Sequence, residues 1–491
     1  MSLLNELHTN TNKTARTENG ALSNTSTLDP VLDFFSKAGA MRGREADAFA
    51  LFQKAFDADP QSAIRCLFYL RDIRGGQGER SVFTYILGQL DEDFVNKIAH
   101  YIPEYGRWDE IPFNKETVEN LIAKQLAEDM ENMEAGKGIS LLAKWMPSEN
   151  AGKASLAQAR KVAELLGWVG EPVEKELGDN KFSRVPNLRT YRKNITGLRK
   201  YYDNFLERLM SEKRWSEIDY SKLPSQAHKK HVKAFYRNDE ARYKAYIESV
   251  KKGEAKINSG TLFAYQLYDM VMRGNSDEAS SADALWASLP DYTKGTNALV
   301  LADVSGSMSG FPMSVSVSLA LYFAERNEGP FKDFFMTFTS TSRLQKVTGS
   351  TLSAKMRSIQ SADWHGSTNL QSAFDAILRA AISSKASEDE MPKTLYIISD
   401  MQFNMACGHN TVTNFETMKA KYKAVGYDLP HVVFWNANAY GNDAPATKYD
   451  ENVTLISGSN QSAFQYAVEG KTPLQSMLDI LNSERYAKIV L

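Results

Sequence analysis

The sequence predicts a multi-domain chain, all-α in its first half and α/β in its second, the latter built on a mainly parallel sheet. Three observations lead there. In the first half apolar residues recur at i, i+3, i+4 and i+7, as at Cys66, Tyr69, Leu70 and Ile73 and again at Phe83, Ile86, Leu87 and Leu90; that is one face of a 3.6-residue helix. From about residue 285 the pattern becomes apolar runs of strand length separated by helical stripes, and buried strands alternating with helices give a parallel sheet covered on both faces. A length of 491 residues leaves room for two or three domains.

Taken in order, residues 1–28 read as a polar N-terminal arm, rich in Asn, Thr and Ser from residue 5 onward and too poor in apolar side chains to pack by itself. Residues 29–285 read as the helical module, and stacked helical pairs of α-solenoid type suit it, without a repeat of fixed period. The connector Arg74-Gly75-Gly76-Gln77-Gly78 follows a helix and lacks the Gly-Lys-Ser/Thr of a phosphate loop, so a helix–helix turn with a left-handed glycine is expected, with Arg71, Arg74 and Arg80 around it. A polar stretch at residues 274–283 leads into the α/β domain, residues 286–491. Its strands are expected at 298–302, 334–338, 395–398, 432–435 and 453–456, with helical stripes between them such as Val317, Ala320, Leu321 and Ala324.

Hydrophobic residues at 43% and charged residues at 24% argue against a disordered or fibrous chain. Only Cys66 and Cys407 are present, which argues against a disulfide framework or a Cys-rich zinc site and points to a reducing compartment. The first residues lack a signal-peptide pattern, and no apolar run approaches the length of a membrane span. A cytoplasmic protein is therefore expected.

In open α/β sheets ligands bind beyond the carboxyl ends of strands, and three expected loops there carry oxygen donors. The first strand runs into Asp303-Val304-Ser305-Gly306-Ser307, a later loop holds Gly366-Ser367-Thr368-Asn369, and another strand ends at Ser399-Asp400. Alternate side chains of Asp-x-Ser-x-Ser can turn toward one point, and hydroxyls with one or two carboxylates suit a hard cation such as Mg²⁺. Two alternatives compete. The triad can be a plain polar turn, or Asp303 can be a nucleophile, as in phosphotransferases with an aspartyl intermediate. The second lacks support: no Asp stands two residues after Asp303, and no Gly-x-Ser-x-Gly elbow or Ser-His-Asp order occurs. His365 beside Trp364 reads as a packing residue, and Cys407 with His409 lacks the companions a metal site needs. No enzyme is expected.

A second feature is electrostatic. Residues 181–256 hold twenty Lys and Arg against nine Asp and Glu, while the whole chain carries −2. Wound as a helix, residues 186–206 place Arg189, Arg192, Lys193, Thr196, Arg199 and Lys200 on one face and Leu188, Tyr191, Ile195, Leu198, Tyr202 and Leu206 on the other. Lys229, Lys230, Lys233 and Arg237 continue the charge, interleaved with His228, His231, Phe235 and Tyr236 as candidates to stack on bases. RNA is the expected partner, bound through phosphates at Arg189, Arg192, Lys193, Arg199, Lys200, Lys229, Lys230 and Lys233. The alternative is a solvated basic face neighboured by the acidic remainder of the chain. A membrane surface is disfavoured for want of an insertion edge, and no DNA sequence recognition is expected.

DVSGSM, GSTN and SD, in that order and each after the right kind of element, resemble the metal-ion-dependent adhesion site of the von Willebrand factor A family from about residue 290 onward. The resemblance implies Ser305 and Ser307 as direct ligands of a divalent metal, most simply Mg²⁺, Thr368 as a direct or water-mediated ligand, and Asp303 and Asp400 acting mostly through water. It leaves one coordination position for an acidic side chain of a protein partner. A helical module joined to an A-domain is similar to the Ro-type (TROVE) RNA-binding proteins, whose HEAT-like helical repeats form a ring. RDIRGGQGER at residues 71–80, DYSKLPSQA at 219–227, SDMQF at 399–403 and LPHVVFWN at 429–436 resemble an uncharacterised Ro-like A-domain family of phages, bacteria and plants. That implies a non-catalytic scaffold for structured or misfolded non-coding RNA. The alternative function is a metal-dependent protein–protein adaptor that binds no RNA.

Overall fold

The structure is a computed structural model and describes residues 15–111, 116–148, 152–176, 182–201, 206–293, 297–337, 342–362, 369–404, 413–439, 443–467 and 469–491. By its internal contacts the chain divides into two compact units, one of residues 87–219 and one that joins residues 1–86 to 220–490. The change from helical to α/β character near residue 285 therefore falls inside a packed unit.

Two small hairpins lie in the first half. Ala15–Arg16 (β1) pairs with Leu22–Ser23 (β2), and Gly170–Glu176 (β3) pairs antiparallel with Phe182–Asn187 (β4). The first half is mostly helical, as the expected helical module requires, with these two short pairings added among the described residues. In β3, Glu171, Pro172, Val173 and Glu174 are all exposed, so no buried alternation marks the strand. From Ala15 onward the expected arm packs on the α/β domain.

The second half forms a sheet from Ala298–Ala302 (β5), Phe334–Thr337 (β6), Leu344–Lys346 (β7), Thr394–Ser399 (β8), His431–Asn436 (β9) and Val453–Ser457 (β10). The order is β10-β9-β8-β5-β6-β7, parallel except for the antiparallel edge strand β7. All five expected strands are present. β7 is the addition, three residues long with Leu344 and Lys346 exposed.

Alternate residues of the strands feed two cores. Leu299, Leu301, Leu395, Ile397, Val432, Phe434 and Leu455 pack under the helices Leu370–Ser384 and Asn414–Ala424. On the other face Tyr396 and Trp435 meet Phe464, and Phe323 of the helix Phe311–Arg326 packs on Tyr396.

Residues 71–80 clamp the early helices to the end of the sheet. The Gln77 amide donates to Phe35 O and to Ser457 Oγ, both at 2.9 Å, and Asn460 Nδ2 donates to Gly76 O at 2.6 Å. Two glycines are required. A Cβ on Gly76 would sit 1.9 Å from the Tyr69 carbonyl oxygen, and Gly78 has the left-handed φ of +70°, as expected for this turn.

Asp72 lies beneath this loop, fully buried. It accepts from Arg485 Nε, from Arg485 Nη2 at 2.6 Å and from Tyr486 Oη at 2.7 Å, as well as from the amides of Arg74 and Gly75. Arg485 is 31% exposed and can be hydrated, but Tyr486 Oη and the loop amides would lose a buried acceptor, so Asp72→Ala is expected to cost about 2 kcal/mol, read as a fall in urea midpoint. A midpoint equal to wild type would show that the clamp contributes nothing.

Candidate functional site

In strand order, β5 and β8 are the neighbours at which chain progression reverses, so their carboxyl ends open the crevice where ligands sit in such sheets. Asp303 follows β5 and Asp400 follows β8. Register brings them together, because Ala302 is level with Ile398 and the Asp303 amide donates to Ile398 O at 2.9 Å.

Both carboxylates are buried, Asp303 at 0% and Asp400 at 1% exposure. Asp303 Oδ1 accepts from the Ser305 amide at 2.9 Å, and Oδ2 accepts from Ser399 Oγ at 2.6 Å. Ser305 and Ser307 bring their hydroxyls within 3.0 Å of each other on the turn that opens the 3₁₀ segment Gly306–Met308. Asp400 Oδ1 accepts from the Gln402 amide at 3.1 Å. Among the described residues its Oδ2 has no hydrogen-bond partner, although it is buried.

The electrostatics follow. Burial first, and then the neighbouring Asp400 charge, push the Asp303 carboxyl up to about 6, against hydrogen bonds from Ser399 and Ser305 that pull it down. Two buried carboxylates with an orphaned oxygen form a site short of positive charge. The donors are all oxygen, the set a hard divalent cation takes. No group of three His, Cys, Asp or Glu able to hold a metal occurs among the described residues.

Four of the five expected site residues, Asp303, Ser305, Ser307 and Asp400, thus gather at adjoining strand ends. Thr368 lies outside the described residues, as do Trp364, His365, Cys407 and His409. Sequence reasoning missed Ser399, which bonds Asp303 and accepts from the Met401 amide at 3.1 Å, and Gln402. The SDMQF segment holds both, but nothing in their spacing shows their partners.

The basic elements divide. In the helix Arg189–Tyr201, Tyr191, Ile195 and Leu198 are buried, as is Leu188 just before it, while Arg189, Arg192, Lys193, Thr196 and Lys200 are exposed, as the 3.6-residue winding requires. Tyr202 lies outside the described residues, and Leu206 opens the next helix, Leu206–Ser211. Arg199, expected to bind phosphate, is half-buried and also serves as a cap. Its guanidinium donates to Ala143 O and Met146 O, both at 2.8 Å, closing the carbonyl end of the short helix Leu142–Trp145.

In the helix Ser225–Asn238, His228, Phe235 and Tyr236 are buried and are corrected from base-stacking candidates to core residues. His228 Nε2 lies 3.1 Å from Tyr220 O, and burial pushes the imidazole down to about 4. His231 is half-buried and rests against Phe235. Lys233 pairs with Glu278 at 3.3 Å, and burial lowers the Lys229 ammonium. Lys230 remains exposed.

Fold and cradle define the class: a mostly helical region joined to a six-stranded, mainly parallel α/β domain with an oxygen-lined site at its strand ends. The chain belongs to the DUF2828 family, a domain of unknown function, which matches residues 17–94 and 109–294. Residues 297–482 match DUF7788, another domain of unknown function. The chain is 30% identical over 513 residues to an uncharacterized protein of Acanthamoeba polyphaga mimivirus, spanning 95% of this chain and 86% of that protein. Among solved structures it is similar to the crystal structure of the Deinococcus radiodurans Ro (RSR) protein, with TM-score 0.37 and 15% identity over 87% of this chain and 92% of that one. No described helix is long and apolar enough to cross a membrane.

Proposed function

We propose that the protein is a non-catalytic, Ro-like RNA-binding scaffold whose second half is a von Willebrand factor A domain carrying a divalent cation, most simply Mg²⁺, for docking an acidic side chain of a partner. The observation that carries the metal half is the buried, unpartnered Asp400 Oδ2 beside Asp303. In this reading Ser305 and Ser307 would ligate the ion directly, Thr368 directly or through water, and Asp303 and Asp400 mostly through water. Asp303 and Asp400 would neutralise such an ion and the Ser305 and Ser307 hydroxyls would fix its place, and when bound it would supply a Lewis-acidic docking point. The RNA half rests on the exposed Arg189, Arg192, Lys193 and Lys200 of one helix face, because shape and phosphate recognition need little more than a fixed basic surface.

A second reading, a metal-dependent adaptor that binds no RNA, is favoured by the internal engagement of Arg199 and Lys233 and by the burial of His228, Phe235 and Tyr236. Capture of partners on immobilised full-length protein separates the two. RNA scaffolding is expected to give a nucleic acid retained in chelator and lost on nuclease treatment. Partners released by chelator alone, with no nucleic acid retained, would replace the scaffold with the adaptor. Mg²⁺-dependent cleavage of RNA that disappears in Asp400→Ala would overturn the non-catalytic assignment.

A further inference from the structure

The N-terminal hairpin meets the loop that carries Asp400. Its tip, between β1 and β2, lies on residues 402–404: Thr17 Oγ1 donates to Phe403 O at 2.6 Å, Asn19 Nδ2 donates to Gln402 O at 2.6 Å, and Gly20 bridges to Asn404. The Glu18 amide donates to Gln402 Oε1 at 2.7 Å. Thr17 also accepts from the Ala21 amide at 3.0 Å, which holds the turn, and Ala21 is buried in the sheet core.

Gln402 is the joint between this hairpin and the cradle. Its amide donates to Asp400 Oδ1, and its side chain bonds Glu18 and reaches Asp443 at 3.4 Å. Between Asp400 and Gln402 stands Met401, buried, with a left-handed φ of +65°. A non-glycine residue keeps that conformation only where its surroundings hold it. Here the holders are Ser399 Oγ on one side, which takes the Met401 amide, and the hairpin-bound Gln402–Asn404 segment on the other.

We propose that the hairpin of residues 15–23 is a clamp that positions Asp400 through Gln402, so that hairpin docking and cation binding at the cradle strengthen each other. This rests on the reading of the cradle as a divalent-cation site. A ligating shell tolerates displacements of only about 0.5 Å, and the four hydrogen bonds from Thr17, Glu18, Asn19 and Gln402 fix the loop on which one of its carboxylates stands. Linkage is reciprocal: what the clamp adds to metal affinity, the metal returns to clamp closure.

The test uses the full chain and Mn²⁺ as the probe, followed by the EPR signal of the free ion. Thr17→Val keeps the side-chain shape and deletes the hydroxyl; it is expected to weaken Mn²⁺ binding about five- to tenfold, while Thr17→Ser restores it to within about twofold. Asn19→Ala, at an exposed position, should move affinity the same way without threatening the fold. Trypsin cleavage after Arg16 is expected to slow when Mg²⁺ replaces chelator, by a factor similar to the loss in Thr17→Val. A Thr17→Val protein that melts lower in chelator yet binds Mn²⁺ as wild type would reduce the hairpin to a structural role and overturn the proposal, as would cleavage indifferent to Mg²⁺. Wild type that binds no Mn²⁺ would instead overturn the cation-site reading itself, whereas binding lost in Asp303→Ala upholds that reading independently of the clamp.

Discussion

Asp400→Asn is expected to weaken divalent-cation binding by about 10- to 100-fold, the range for outer-shell groups that orient and neutralise a metal, while leaving the metal-free fold intact. Asparagine keeps the acceptor that Gln402 uses and removes a negative charge that stands buried beside Asp303. Burial of the carboxylate pair costs the metal-free protein stability, a cost that the proposed cation would offset. For Asp303 the sign is set by a carboxyl raised from 3.8 to about 6. The folded state then holds a proton that the unfolded chain has released. The penalty is fully present above pH 6 and vanishes as pH falls toward 4, amounting to about 3 kcal/mol at most.

Two readouts follow. Cation affinity should fall about tenfold per pH unit below pH 6, as protons compete for Asp303. Metal-free Asp400→Asn should lose less stability than wild type as pH rises from 5 to 7.5. Titration calorimetry with Mn²⁺ at pH 7.5 and 5 checks the first, and urea midpoints in chelator check the second. Equal Mn²⁺ affinity for the variant and wild type at pH 7.5 would remove Asp400 from the site.

Charge reversal on the basic helix gives the other large effect. Arg192→Glu combined with Lys193→Glu is expected to lower affinity for a structured RNA by roughly 100-fold at moderate salt and to flatten the salt dependence by about two released ions. Both side chains are exposed on the face opposite Tyr191, Ile195 and Leu198, so the fold should tolerate the change. Arg199→Glu should behave differently. It unmakes two hydrogen bonds to Ala143 and Met146 and should appear as lower stability of residues 87–219, not as a selective loss of RNA. Filter binding across a salt series, paired with melting curves, separates the two. RNA affinity unmoved by the double reversal would take this helix out of the interface.

Much of this was legible in the residue pattern. The strands of the sheet are apolar along nearly their whole length because both faces are covered, and Asp303, Ser305, Ser307 and Asp400 are found by reading just past their carboxyl ends. The elements that escaped are those whose stability comes from elsewhere. β7 is too short and too exposed to show a period, and β3 carries charge where a buried strand would carry Val or Ile. Gln402 matters through contacts to Glu18 and Asn19, 384 and 383 residues away, a separation no local pattern encodes.

The helix Ser225–Asn238 teaches the opposite lesson. His228, Val232, Phe235 and Tyr236 fall on one helical stripe, so the spacing itself placed His228 in the core. Composition suggested nucleic acid because charge and aromatic rings were counted together, whereas the winding separates them.

Phe35, Asp72, Gly76 and Gln77 find their partners at Ser457, Asn460, Arg485 and Tyr486, so the early helices are completed by residues 380 to 422 positions further along the chain. Until those residues are made, Phe35 and Tyr69, both buried in the folded protein, lack Ser457, Tyr466 and Tyr486 from their surroundings. Pairings at such separations raise the contact order, which slows folding and leaves apolar surface uncovered until residues 457–486 are in place.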